Sequence, residues 1–181
     1  MPGYIILGLL FTFIALILIR AAMYKPYEEP DMLTDRVNVD RERVVADFAE
    51  MIRCKTVSYY DSEKTDWEEF WKFQRLIMER YPLLHKMATL TKIGKTGLLY
   101  HLKGQSAANP AVYMAHYDVV PVEEDGWDKP PFEGLVDEKY IWGRGTLDTK
   151  GTLCAILEAT EQLLSEGFVP KNDLYLSFSG D

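Results

Sequence analysis

Polar and apolar positions change their rhythm several times along this chain. From Gly3 to Ile19 there is no rhythm at all: the run GYIILGLLFTFIALILI carries no charge, and Arg20 and Lys25 follow it. Such a run has no polar face to turn to water. With Ala21 to Tyr24 it approaches the ~20 residues that cross a bilayer, which predicts one transmembrane anchor helix over residues 1–24. A cleaved signal peptide is the competing reading. It would place Lys or Arg ahead of the apolar run and an A-x-A site behind it, and neither is present, so a retained anchor is favoured. The positive-inside rule puts Arg20, Lys25 and Arg36 in the cytoplasm, on so few charges that the membrane side stays open. The stretch KPYEEPDMLTD is rich in proline and acid and marks a linker over 25–39.

Beyond the linker, helical and strand periods alternate. In DRERVVADFAEMIRC, Val44, Val45, Phe48, Met51 and Ile52 share one helical face behind an Asp40 N-cap. In TDWEEFWKFQRLIMERYP, Asp66 and Glu69 stand near capping-box spacing, and Trp67, Phe70, Trp71, Ile77 and Met78 form a stripe that ends at Pro82. Aromatics at this spacing read as core rather than as a ligand cage. Strands are expected at Lys86–Ile93 and Leu98–Leu102, then a turn-rich loop at Gly104–Pro110. The strand Ala111–Ala115 follows, apolar on both faces as a central strand is. A hairpin pairs Leu135–Val136 with Tyr140–Trp142. A helix from Lys150 to Glu166 turns Leu153, Ile156, Leu157, Leu163 and Leu164 inward and ends with Gly167 at C′, and the strand DLYLSFS follows. This interleaving predicts an α/β fold, a layered sheet with helices on both faces, preceded by the one transmembrane helix. No internal repeat is visible.

Charge and cysteine content narrow the partners. The 181 residues hold 20 Lys+Arg against 28 Asp+Glu, a net charge of -8, which argues against nucleic acid. At 48% hydrophobic residues the chain can fill one packed core and is not disordered. Cys54 and Cys154 are too few for a disulfide framework and lack paired zinc-thiolate spacing; both read as buried thiols.

Two short stretches carry chemistry. AVYMAHYDVVP sets His116 and Asp118 at the end of a hydrophobic strand, where ligands gather in open α/β sheets. In an extended chain, residues i and i+2 share a face, so Asp118 can hold one imidazole nitrogen while the other faces a metal. A hydrogen-bonded histidine at a strand end explains the pair equally well. WGRGTLDTKG then places two glycines and Asp148 before a helix. Alone, Asp148 is simply a helix cap. Thr149 stands before Lys150 where a Walker sequence has glycine, so a phosphate loop is rejected. Histidine nitrogen and aspartate oxygen suit zinc, and a carboxylate can bridge two ions.

Together, MAHYDVVPV, GWDKPPFEGLVDEKYIWGRGTLDTKG and the helix behind them closely resemble the zinc metallopeptidase family of carboxypeptidase S, aminoacylase, acetylornithine deacetylase and the desuccinylases. The DVVP and W…PPF…G segments look nearest to the carboxypeptidase S branch. The resemblance is strong from Ala111 to Asp181 and diffuse from Asp40 to Pro110, where IRCKTVS shares the family's look. It implies that His116 binds one zinc, that Asp118 acts in catalysis by orienting His116, and that Asp148 bridges two zinc ions, with a cis peptide bond at Asp148–Thr149. Arg144 and Lys150 would tie the loop to neighbouring carboxylates, and Trp127, Pro130, Pro131 and Phe132 would flank the cleft. His85 and His101 lie outside the motifs and read as solvent-facing or core polar residues.

The implied reaction is zinc-dependent hydrolysis of an amide bond in a peptide or N-acyl amino acid. In the family, the last strand runs into Gly-Asp-Glu-Glu, which supplies the general base and a further ligand; here the sequence reads LSFSGD to Asp181. Residues 40–181 are therefore expected to be the N-terminal part of a catalytic domain. On that expectation the chain alone binds zinc poorly, hydrolyses nothing, and leaves its oligomeric state open because the lid and dimerisation domain is missing. The alternative is a non-catalytic membrane-anchored remnant or interaction module.

Overall fold

The computed structural model describes residues 2–25 and 39–180. The chain divides into two compact units, residues 1–38 and 39–181. Of the linker expected over 25–39, only the end residues are described; Arg36 and Asp181 also lie outside the described residues.

The first unit contains helix α1, Pro2–Ala22. Residues Gly3–Ala22 are long and apolar enough to cross a membrane, a test that a signal sequence also passes. Within it, Thr12 donates from Oγ1 to Gly8 O at 2.9 Å, so that polar group is satisfied within the helix.

In the second unit, α2 spans Arg41–Arg53, and Asp40 caps it by accepting from Arg43 N at 3.1 Å. Helix α3, Trp67–Arg80, is capped by Asp66, which accepts from Glu68 N. Glu69 does not close a capping box. Its carboxylate accepts from Lys55 N at 2.7 Å instead, tying α3 to the segment after α2. Pro82 does not end helical structure either; it opens a short helix α4, Pro82–Met87, because the first helical position needs no N–H. The carboxylate of Glu161 caps α4, accepting from Leu83 N and Leu84 N at 2.8 and 2.9 Å.

Strands β1 (Thr89–Ile93), β2 (Gly97–Leu102) and β3 (Ser106–His116) follow, then the hairpin β4 (Leu135–Val136) and β5 (Ile141–Trp142), helix α5 (Lys150–Ser165) and strand β6 (Asn172–Ser179). The main sheet has the order β1-β2-β6-β3. β6 pairs antiparallel with β2 and parallel with β3, setting Tyr113 opposite Leu176 and His116 opposite Ser179. At the end of α5, Gly167 takes a φ of 78° at C′, and Phe168 N donates back to Leu163 O at 2.9 Å.

Two parities decide what is inside. Leu98, Tyr100 and Leu102 of β2 and Leu176 and Phe178 of β6 point to one face, where they meet Met51, Phe70, Phe73, Ile77, Leu153 and Leu157 from the helices. The α3 stripe is centred on Phe70, Phe73 and Ile77; Trp71 and Met78, expected inside, lie one step round the helix and are exposed. The alternate residues of the same strands, among them Leu99 and His101 of β2 and Tyr175 and Ser177 of β6, are half-buried and form the opposite sheet face. There His101 stacks on Tyr175 at 4.5 Å and binds Asp173 at 2.8 Å. β3, read as a central strand from its apolar run, occupies the sheet edge among the described residues, with Val112, Tyr113 and Met114 exposed. The interior places belong to β2 and β6.

Candidate metal centre

The site begins where β3 runs out. Beyond His116, Tyr117 N still donates to Ser179 O at 2.8 Å, and then a new neighbour takes over. Val119 N donates to Thr56 O and Ser58 N to Val119 O, at 2.8 and 3.0 Å, so residues 56–58 run as a short parallel ladder beside 117–119. Below it, the buried Tyr117 ring stacks on Phe73 at 4.7 Å. Its hydroxyl donates to Thr96 O at 2.6 Å and accepts from Gln74 Nε2 at 3.1 Å. The backbone that presents His116 and Asp118 is thus held from both sides.

From that backbone the two side chains emerge together. Asp118 Oδ1 lies 3.1 Å from His116 Nδ1, and the Asp118 carbonyl lies at the same distance. On the far side of the ring, Nε2 lies 3.0 Å from Asp148 Oδ1. Asp118 is sheltered, its side chain 10% exposed, whereas Asp148 is open at 84%. Burial pulls the His116 pKa down. The hydrogen bond to Asp148, the Asp118 carbonyl and the two carboxylate charges outweigh it, so the pKa lies above the ordinary value.

Asp148 is delivered by the loop before α5. Its peptide bond to Thr149 is cis. Thr149 Oγ1 donates to His116 O at 3.0 Å and receives His116 N at 3.2 Å, which couples the loop to the strand end. Gly145, at φ 89°, lies so close to Val119 that a Cβ there would sit 2.7 Å from Val119 Cγ1. Lys150 was expected to reach carboxylates. Instead it is fully buried, and Nζ donates to the carbonyls of Met51 and Cys54 at 3.0 and 2.7 Å, closing the C-terminal end of α2. Arg144 pairs with no carboxylate among the described residues; its guanidinium lies 5.1 Å over the Trp127 ring, and its backbone N donates to Pro131 O. The loop of Trp127 and Pro131 therefore touches the cleft through Arg144.

Ser58, His116, Asp118, Arg144 and Asp148 line a cleft of about 240 Å³. A histidine nitrogen and a carboxylate oxygen converge on it, and a second carboxylate stands behind the ring, the donor chemistry of a zinc site. No group of three or more histidine, cysteine or acidic side chains suited to a metal occurs among the described residues. Catalytic zinc takes three protein ligands. The residues present therefore fit one side of a metal centre and do not complete it.

Residues 112–181 match the peptidase family M20/M25/M40. Over these residues the chain is similar to the M20 peptidases. "Probable carboxypeptidase S-like 2" of Dictyostelium discoideum is 37% identical over 156 residues, 84% of this chain and 30% of that protein. Carboxypeptidase S of Saccharomyces cerevisiae is 37% identical over 64% of this chain and 21% of its own. The N-fatty-acyl-amino acid synthase/hydrolase PM20D1 of Homo sapiens is 33% identical over 72% and 26%. The chain thus spans less than a third of the length of these relatives. In fold, it is similar to the M20 family metallo-carboxypeptidase Sso-CP2 from Sulfolobus solfataricus, with a TM-score of 0.60 at 23% identity over 76% of this chain and 30% of that one.

The histidine and two aspartates singled out in the sequence meet in one cleft. His85 and His101 do not. His85 is engaged by Tyr81 O at 2.9 Å and Tyr100 Oη at 3.0 Å, and His101 lies on the far sheet face. Two contributors went unrecognised, Thr149 and Ser58. Ser58 sits in IRCKTVS, a stretch noticed for its resemblance and given no role.

Proposed function

We propose that this chain carries part of the core of a metal-dependent hydrolase that cleaves the amide bond of peptides or N-acyl amino acids. The observation that supports it is the convergence of His116 Nε2 and Asp148 Oδ1, 3.0 Å apart, with Asp118 at 3.1 Å behind the ring. The names of the M20 relatives support that substrate class.

In this reading His116 and Asp148 would hold zinc, Asp148 as the carboxylate shared by two ions. Bound zinc would polarise the scissile carbonyl and activate a water. The rest is the work of the protein. Asp118 accepts the Nδ1 proton and leaves Nε2 as a bare donor facing the cleft. Thr149 keeps the Asp148 loop at the strand end, and Arg144 places a cation on the cleft wall. Helix α1 anchors the protein in a membrane.

A non-catalytic membrane-anchored interaction module is the second reading, favoured by the absence of a third donor among the described residues. The test is zinc content and hydrolysis of dipeptides and N-acyl amino acids, with and without chelator, in wild type, His116→Ala and Asp148→Ala. Hydrolysis that chelator abolishes, zinc restores and both substitutions remove supports the hydrolase. Partner binding indifferent to chelator, with no hydrolysis, supports the module.

A further inference from the structure

The carboxylate behind His116 has a second contact that the orienting role of Asp118 does not account for. Asp118 Oδ1 serves the imidazole, while Oδ2 accepts a hydrogen bond from Ser58 Oγ at 2.6 Å. We propose that Ser58 is a positioning residue for His116, acting through Asp118: its hydroxyl fixes the plane of the carboxylate that holds the ring. The inference rests on the reading of His116 as a metal donor.

Three observations carry it. First, Asp118 is largely withdrawn from water, and a withdrawn carboxylate needs partners on its oxygens. Among the described residues, the His116 ring and the Ser58 hydroxyl are the hydrogen-bond partners of its side chain. The terminal torsion of an aspartate is broad, so a carboxylate held at one oxygen swings while one held at both does not.

Second, Ser58 is itself fixed. Its backbone N donates to Val119 O at 3.0 Å, the next step after the parallel bridge of Val57 with Val119, so the hydroxyl springs from the ladder that carries Asp118. Third, Gly180 packs closely against the stem of Asp118: a Cβ there would lie 3.0 Å from Asp118 Cβ and 2.8 Å from Phe70 Cε1. Among the described residues, Ser58 is the group that donates to the carboxylate oxygen not facing the imidazole.

The alternative is that Ser58 merely staples residues 56–58 to the strand end. The two roles differ in what the imidazole does. Its ring has a carboxylate oxygen at each nitrogen, Asp118 at Nδ1 and Asp148 at Nε2, so the neutral ring chooses between two tautomers. A fixed Asp118 favours the proton on Nδ1; a loosened one lets Nε2 compete.

The experiment reads that choice in the full chain, metal-free and in mild detergent, from the side-chain 15N shifts of histidine at a pH where the imidazoles are neutral. His116→Gln assigns the signal. Wild type is expected as the Nδ1–H tautomer. Ser58→Ala is expected to shift the ratio roughly five- to tenfold toward Nε2–H, the scale of the net contribution of one hydrogen bond. Ser58→Thr, which keeps the hydroxyl, should restore it. Should Ser58→Ala fail to fold, Ser58→Cys keeps the shape with a weak donor and is expected to shift the ratio in the same direction. A variant that loses thermal stability while His116 keeps the wild-type tautomer ratio overturns the proposal and leaves Ser58 a staple. The readout needs neither zinc nor substrate. A protein with the expected shift whose zinc binding is indifferent to His116→Gln defeats the metal-donor reading alone, and one whose zinc binding needs His116 but that shows no shift defeats this inference alone.

Discussion

Lys150 is a fully buried cation whose nitrogen donates to two backbone carbonyls, and it makes a sharp test of how the loop before α5 is held. Burial, the largest influence, drives its pKa from 10.5 down to about 7, with the charges of Cys54, Glu69 and Asp118 pulling the other way. Between those two values the unfolded chain binds the proton and the folded chain does not, so stability rises with pH across that window. From pH 7 to pH 9 the gain is roughly 2 kcal/mol. Lys150→Met keeps the bulk and removes the titration. It strands the carbonyls of Met51 and Cys54, a cost of about 1–3 kcal/mol each, partly offset because no charge is buried. The two thiols act with the opposite sign, since burial raises the Cys54 pKa and pushes Cys154 up to about 12, but wild type and variant share them. Urea unfolding of the full chain in mild detergent, followed by tryptophan fluorescence, should show the stability gap between wild type and variant widening by roughly 2 kcal/mol from pH 7 to pH 9. A gap that stays constant over that range would refute the account of Lys150 as a buried, titrating tie.

Other predictions follow from single contacts. Gly134 has a φ of 54°, and a Cβ there would meet Ala49 O at 2.4 Å, so Gly134→Ala should destabilise the fold by about 1–3 kcal/mol in thermal unfolding. Tyr117→Phe removes a hydroxyl that serves Thr96 O and Gln74 Nε2; a loss of about 1–2 kcal/mol is expected, with little change for Tyr113→Phe, whose ring is exposed. The raised pKa of His116 means that its proton competes with a metal at Nε2. Zinc affinity measured by calorimetry should therefore fall as pH drops through that pKa, by about tenfold per unit below it, and an affinity flat from pH 8 to pH 5 would contradict the assignment.

The sequence exposed the parts of the site that are local in the chain and hid the parts that are not. His116 and Asp118 are two residues apart on an extended backbone, so their shared face follows from strand geometry alone. The Asp148 loop was legible because glycines mark where backbone must approach closely, as Gly145 does at Val119. Ser58 lies 60 residues from Asp118, and nothing about TVS shows that it will form a ladder beside 117–119. Lys150 was misassigned because a lysine beside an aspartate suggests an ion pair, whereas α2 ends directly below it with free carbonyls. The edge position of β3 was equally invisible. Its apolar pattern states what faces the strand accepts, not which neighbours are present.

The order of the strands explains why these distant pieces meet. β6 is the last strand in the chain and lies between β2 and β3, so its end comes level with His116, where Ser179 O receives Tyr117 N. Gly180 follows directly and closes in on Asp118. The end of β6 thus supplies the wall against which the earlier site residues are set, and a bulky residue at 180 would press on the core ring of Phe70 and on Asp118 together. Ser58 holds the carboxylate of Asp118 by a hydrogen bond, and Gly180 makes room beside its Cβ by the absence of a side chain. The orientation of His116 is therefore a property of three segments separated by 60 residues or more, and the strand-end pair is only its visible third.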